Sequence, residues 1–178
     1  MSIIMISREF VTSSLSEHFQ RFPYSCFPSA IEMMQIIERN KESSNLPTAD
    51  PFCLQDKYTD YFTEQFFHRD YPTGYFGLII QKIAVTSMKD LDFSTIIEII
   101  DNELSLEKTV LIETYYDVFI HAHVLYNYDD NNGIKTYHSV TGSYGNPSID
   151  FKDWSVSDLQ IAMITPNNTC AIWLYKII

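Results

Sequence analysis

The chain has 178 residues, 46% of them apolar and 15% aromatic, with a formal net charge of −11. That composition is globular rather than disordered, and the length suits a single domain, 1–178, able to bury a core without staples. Lys and Arg are scattered and outnumbered, which excludes the positive face that nucleic acid or an anionic membrane surface would need.

Cys26, Cys53 and Cys170 make an odd count without metal-type spacing, so neither a disulfide framework nor a zinc site is expected. No apolar run approaches the ~18 residues of a membrane span. The segment from Met1 to Arg8 lacks the basic start and apolar length of a secretory signal. The expectation is a cytoplasmic protein, with specialised export left open. No cofactor is implied.

The first clear element opens near Ser25. In Phe27-Pro-Ser-Ala-Ile-Glu-Met-Met-Gln-Ile-Ile37 the apolar residues Ala30, Ile31, Met33, Met34 and Ile37 fall at helical spacing, and Pro28 suits a first turn. Pro47 and Pro51 mark a loop. A second helix is predicted from about Leu54 to His68, and a third, buried one from Tyr75 to Ala84. Asp92-Phe-Ser-Thr-Ile-Ile-Glu98 opens a fourth, with Ser94 or Thr95 as cap and Thr95 with Glu98 as a capping box.

After Leu104 the pattern turns to strands. Thr109 to Glu113 is a β-branched run, and Ala122 to Tyr128 alternates. Asp129-Asp-Asn-Asn-Gly133 lacks the closing Glu of a calcium loop and reads as a hairpin turn into Ile134–His138. Thr141 to Pro147 is a loop, and Cys170 to Ile177 a closing strand. Helices first and strands afterwards predict an α+β fold, N-terminal helices packed on a C-terminal antiparallel sheet.

Two segments carry chemistry. A cysteine at a helix N-terminus sits where N–H groups and the helix dipole favour a thiolate, and the Cys26 backbone N–H is placed to hold an oxyanion. Gln20, six residues earlier, supplies a second oxyanion donor if its loop folds back. Against this, a cysteine before a helix is often a small buried hydrophobe. His121 opens an otherwise apolar strand, as a general base on a rigid sheet would, and His123 competes with it from the same strand face. His68, His121, His123 and His138 show no helical pair spacing for a metal. The aromatic run from Tyr58 to Phe76 reads as core or as an apolar groove.

At these segments the chain resembles the papain-like cysteine peptidases, in their bacteriocin-processing, double-glycine branch. Gln20…Cys26-Phe-Pro-Ser-Ala30 is similar to that branch's Gln…Cys-Gly-Pro-Ala-Ala. His121 through Tyr128-Asp-Asp130 is similar to its His-Ala-Val-Val-Val-Val-Gly-Tyr-Asp-Asp. The helix and strand spanning Phe93 to Glu113 fit the stretch ahead of the histidine. The resemblance covers about Gln20 to Trp154 and implies a papain-like fold. It also implies a Cys26 nucleophile, a His121 base, and an amide or thioester substrate carried on a peptide, protein or acyl carrier. Phe27 and Asn127 stand where the branch has glycines. His138 stands where it has an Asp or Asn, which implies a dyad in which His138 accepts a hydrogen bond from the His121 ring. Asp117, Asp129 and Asp150 are substitutes if loops bring them near. The other reading of those departures is a binding module that keeps the scaffold without the chemistry.

Overall fold

A computed structural model describes residues 5–58, 74–85, 93–116, 119–144 and 149–178. Helices α1 (Arg8–Ser14), α2 (Cys26–Arg39) and α3 (Cys53–Lys57) come first. They are followed by β1 (Gly74–Tyr75), β2 (Leu78–Val85), α4 (Phe93–Ser105), β3 (Val110–Tyr116) and β4 (Phe119–Asn131). The chain closes with β5 (Ile134–Gly142), β6 (Ile149–Ser155), α5 (Val156–Met163) and β7 (Cys170–Ile177). Among the described residues, seven strands form one sheet in the order β1-β2-β7-β3-β4-β5-β6. Pairing is antiparallel in β1–β2, β7–β3, β3–β4 and β4–β5. The fold is mixed α+β.

The strict order of helices before strands is corrected. Tyr75 to Ala84, expected as a helix, is a β-hairpin that turns at Phe76 and Gly77, both at positive φ. Leu78 and Ile80 are buried and Ile79 is exposed, a period of two that an apolar run with large residues on both faces conceals. The expected helix from Leu54 is α3, which ends at Lys57, and the remainder of that prediction, with most of the aromatic run, lies outside the described residues. Helix α4 is already formed at Phe93, so Thr95 sits inside it and not at its cap. The capping box belongs instead to α5: Asp158 N–H donates to Ser155 Oγ at 3.0 Å, and Ser155 N–H to Asp158 Oδ2 at 3.3 Å. Thr141 and Gly142, expected in a loop, close strand β5.

The hairpin between β4 and β5 turns at Asn132 and Gly133, with φ of 54° and 86°. A type I′ turn requires the left-handed region at both positions, which Asn-Gly adopts at least cost. Asp130 Oδ1 accepts the Gly133 N–H at 2.8 Å.

The described residues divide into two compact units, each assembled from separated stretches of chain, which is why no linker marks a boundary. One comprises Met1–Ser7, Lys82–Val140 and Phe151–Leu174, and the other Arg8–Gln81, Thr141–Asp150 and Tyr175–Ile178. The first, the histidine unit, is built on an apolar cluster in which Phe93, Ile96, Ile100 and Leu104 of α4 meet Val110, Ile112, Leu125 and Ile172. The second, the cysteine unit, has α2 at its centre. Every residue from Cys26 to Glu38 is buried, well beyond the one wide face that periodicity predicts. A helix buried all round costs stability at Glu32, Gln35 and Glu38 wherever their polar atoms lack partners. Gln35 Nε2 donates to the Pro47 and Phe76 carbonyls while its Oε1 has no partner among the described residues, and Glu38 accepts from Lys41 and from the Tyr175 hydroxyl.

Candidate functional site

Cys26 is the first residue of α2 and is 4% exposed. The residue before it, Ser25, is the N-cap, but its side chain does not cap. Its hydroxyl is directed to the Phe22 carbonyl (3.1 Å) and to Gln55 Oε1 (2.7 Å), and it accepts the Phe22 N–H. Pro28, third in the helix, has no N–H to offer. A cap from the Ser25 side chain would therefore have the Phe27 N–H as its target, and Ser25 makes no such bond. Ser29, one turn beyond Cys26 and on the same side of α2, carries a buried hydroxyl with no partner among the described residues.

The approach to Cys26 is held from several sides. Gln20 N–H donates to the Ser143 carbonyl at 3.2 Å, and Gln20 and Tyr144 form an isolated parallel bridge. A Cβ on Gly142 would lie 2.9 Å from Gln20 N and 3.0 Å from Ser29 Oγ, so this approach requires glycine. Gln20 Nε2 gives its two protons to the Phe22 and Pro23 carbonyls, at 2.8 and 3.0 Å. That amide stabilises its own loop, and the expected oxyanion role for the Gln20 side chain has no proton left to serve it.

Beneath this loop lies a buried polar network that the sequence reading missed. Glu32, 1% exposed on α2, accepts four hydrogen bonds: His18 Nε2 (3.1 Å) and Gln55 Nε2 (2.7 Å) on one oxygen, Leu54 N–H (3.0 Å) and Gln55 N–H (3.1 Å) on the other. Burial pushes its carboxyl above the ordinary range, and the bonds from His18 and Gln55 oppose that. The available signal was a carboxylate inside an otherwise apolar helical run. Gln55 carries no such signal, because these partners are loop groups thirty or more residues away.

In the histidine unit, His121 sits on β4 opposite Thr114 of β3 and is partly exposed. Its ring meets that of His123 edge-on at 4.7 Å, and His123 in turn meets Trp154 at 5.2 Å. His123 is buried with neither ring nitrogen bonded among the described residues. Burial, then the neighbouring His121 and Lys152, hold its pKa well below the usual imidazole value, so it is neutral.

His138, expected to accept a hydrogen bond from the His121 ring, is corrected. Its Nδ1 lies 2.7 Å from Asp153 Oδ1 and its Nε2 2.7 Å from Asp129 Oδ2, so both nitrogens are taken by carboxylates. Partial burial lowers its pKa, but the two carboxylates more than offset this and raise it overall. Of the other substitutes, Asp150 accepts from Ser143 Oγ at 2.7 Å, and Asp117 lies outside the described residues, as does His68 of the histidines considered for a metal. Cys26 and Gln20 thus belong to one unit, His121 and His138 to the other.

Among the described residues no cluster of three or more His, Cys, Asp or Glu side chains can hold a metal ion, and no helix is long and apolar enough to cross a membrane. No protein-family model matches the chain, and neither a curated protein nor a solved structure does.

Proposed function

We propose that the protein is a papain-like, cysteine-dependent hydrolase or acyl transferase acting on an amide or thioester carbonyl of a peptide, protein or carrier-bound acyl substrate. The observation that carries this reading is the placement of Cys26 as the first residue of a fourteen-residue helix whose N-cap hydroxyl is turned away from it. A thiolate there is stabilised by the helix dipole without competition from the Ser25 hydroxyl.

In the proposed reaction His121 removes the Cys26 proton and the thiolate attacks the carbonyl carbon, forming the C–S bond. The tetrahedral oxyanion is held by backbone N–H groups at the start of α2. His121 then protonates the departing amine or thiol, and water or an acceptor nucleophile releases the acyl group. His121 is preferred over His123 because it is partly exposed, whereas His123 is 4% exposed.

A second reading, a binding module on the same scaffold, draws on two observations. Cys26 is almost inaccessible, and the Gln20 amide is committed to its own loop. Iodoacetamide alkylation separates the two. An activated Cys26 reacts faster at about pH 6 than a free thiol, and His121→Ala slows it. A rate equal to that of a free thiol, unchanged by His121→Ala, leaves the binding module.

A further inference from the structure

The C-terminal end of α2 opens on a cavity of about 310 Å³ that lies wholly within the cysteine unit and includes none of the residues assigned to chemistry above. Its walls are fixed by bonds and close packing. Gln35 Nε2 holds the Pro47 and Phe76 carbonyls at 2.9 and 3.3 Å, and Ile178 N–H donates to the Gly77 carbonyl at 3.0 Å. Gly77 has a φ of 91°, and a Cβ there would lie 2.6 Å from Leu46 Cδ2, so the β1–β2 turn and the loop after α2 meet at their closest approach. Glu38, 6% exposed, brings a carboxylate to this cavity. Its Oε2 is taken by Lys41 Nζ at 2.6 Å and by the Tyr175 hydroxyl. Its Oε1 makes no hydrogen bond among the described residues and is not sealed inside the core. Ser43, Ser44 and Asn45 line the same cavity. Ser44 Oγ accepts the Leu46 N–H at 3.3 Å, which leaves its proton to donate. The Ser43 and Asn45 side chains make no hydrogen bond among the described residues.

We propose that this cavity binds a small zwitterion of the amino-acid class with an aliphatic side chain. Its ammonium sits on Glu38 Oε1, its carboxylate takes the donors of Ser43, Ser44 and Asn45, and its side chain packs on Leu46, Pro47 and Ile177. The proposal is independent of the nucleophile reading. Charge sets the orientation. Helix α2 ends at Arg39, so the partial negative charge of its last carbonyls adds to Glu38 and favours a cation at that end. Lys41 is bonded to the other oxygen, which leaves Oε1 as the seat. An anion alone would face Glu38 with no positive charge of its own, whereas a zwitterion places its carboxylate on the three side-chain donors instead. Size excludes larger ligands: the volume lies at the small end of the ~300–1,000 Å³ typical of ligand sites, room for a single amino acid and not for a nucleotide.

The test titrates the full chain with L-leucine by calorimetry, and with its two halves, 3-methylbutylamine and 3-methylbutanoate. Leucine is expected to bind one to one, and each half roughly tenfold more weakly, since each forfeits one set of charge-assisted bonds. Glu38→Gln is expected to weaken leucine by roughly tenfold as well. Glu38 also holds Lys41 and Tyr175, so urea unfolding accompanies that variant. Ser43→Trp, at an exposed position on the cavity wall, fills the space without entering the core and is expected to abolish binding. No heat with leucine, or leucine binding unchanged in Ser43→Trp, overturns the proposal. Equal binding of 3-methylbutanoate overturns it in favour of an anion site, and equal binding of 3-methylbutylamine in favour of a simple cation site.

Discussion

Two carboxyl groups of nearly equal inaccessibility, Glu32 in the cysteine unit and Glu113 in the histidine unit, are treated in opposite ways. Glu32 is 1% exposed and accepts four hydrogen bonds from a ring, an amide and two backbone N–H groups. Glu113 is 3% exposed and accepts one, from the Tyr115 hydroxyl at 3.1 Å, while its Oε1 has no partner among the described residues. Burial pushes the Glu113 carboxyl up to about 8, with only the Tyr115 bond opposing, so it is mostly protonated at neutral pH. It also contributes to raising the Cys170 thiol to about 12, after burial, which keeps that cysteine an inert core residue. A buried carboxyl costs stability unless its oxygens are satisfied. The cysteine unit meets that condition around the loop that positions Cys26, and the histidine unit leaves it unmet.

The same substitution should therefore act with opposite sign at the two sites. Glu32→Gln replaces an acceptor of four bonds by a group with one acceptor oxygen and two competing protons. It should cost about 2–3 kcal/mol in urea unfolding at neutral pH. Equal stability would show that the network is not what holds loop 18–25.

Glu113→Gln should stabilise, and only at higher pH. The folded-state value, about 8, lies above the ordinary 4.5, so the folded protein holds this proton more tightly than the unfolded chain does. That contribution is complete below 4.5 and is lost as pH rises through about 8. Melting temperature in the wild type should fall across this window. In Glu113→Gln the fall should be shallower and the variant the more stable protein at the upper end. Parallel curves would contradict the protonated state.

The smallest effect is expected at His138. Its raised value means that the clamp with Asp129 and Asp153 is complete below 6.5 and lost as pH rises through the folded-state value. Both carboxylates are largely exposed, so Asp153→Asn should cost less than about 1 kcal/mol at pH 6, shrinking as salt is added. A larger, salt-insensitive loss would put this clamp with the buried network instead of the solvated surface.

Local chemistry made part of this legible from sequence. Pro28 and the spacing from Ala30 to Ile37 place α2, Asn132-Gly133 places the β4–β5 turn, and the apolar run ending the chain is strand β7 over its expected bounds. The hairpin at Phe76-Gly77 was hidden because phenylalanine is not a usual left-handed turn residue and its flanks are apolar on both faces. Of the site, the position of Cys26 at a helix start was legible. The Gln20 side chain was misread because nothing local shows that two carbonyls within three residues would take its protons. His138 was misread for the mirror reason: Asp153, fifteen residues away, reaches it only through strand pairing.

The most direct measurement of the central claim sets activation against exposure. Of the three thiols, Cys53 is the most accessible, while Cys26 and Cys170 are both buried. Incubation with p-nitrophenyl acetate, followed by quenching and peptide mass mapping, records which sulfur becomes acylated. A nucleophile activated at the start of α2 predicts an acetyl thioester at Cys26, absent in Cys26→Ser and slowed in His121→Ala. Acylation of Cys53 alone, with Cys26 unmodified, would contradict it.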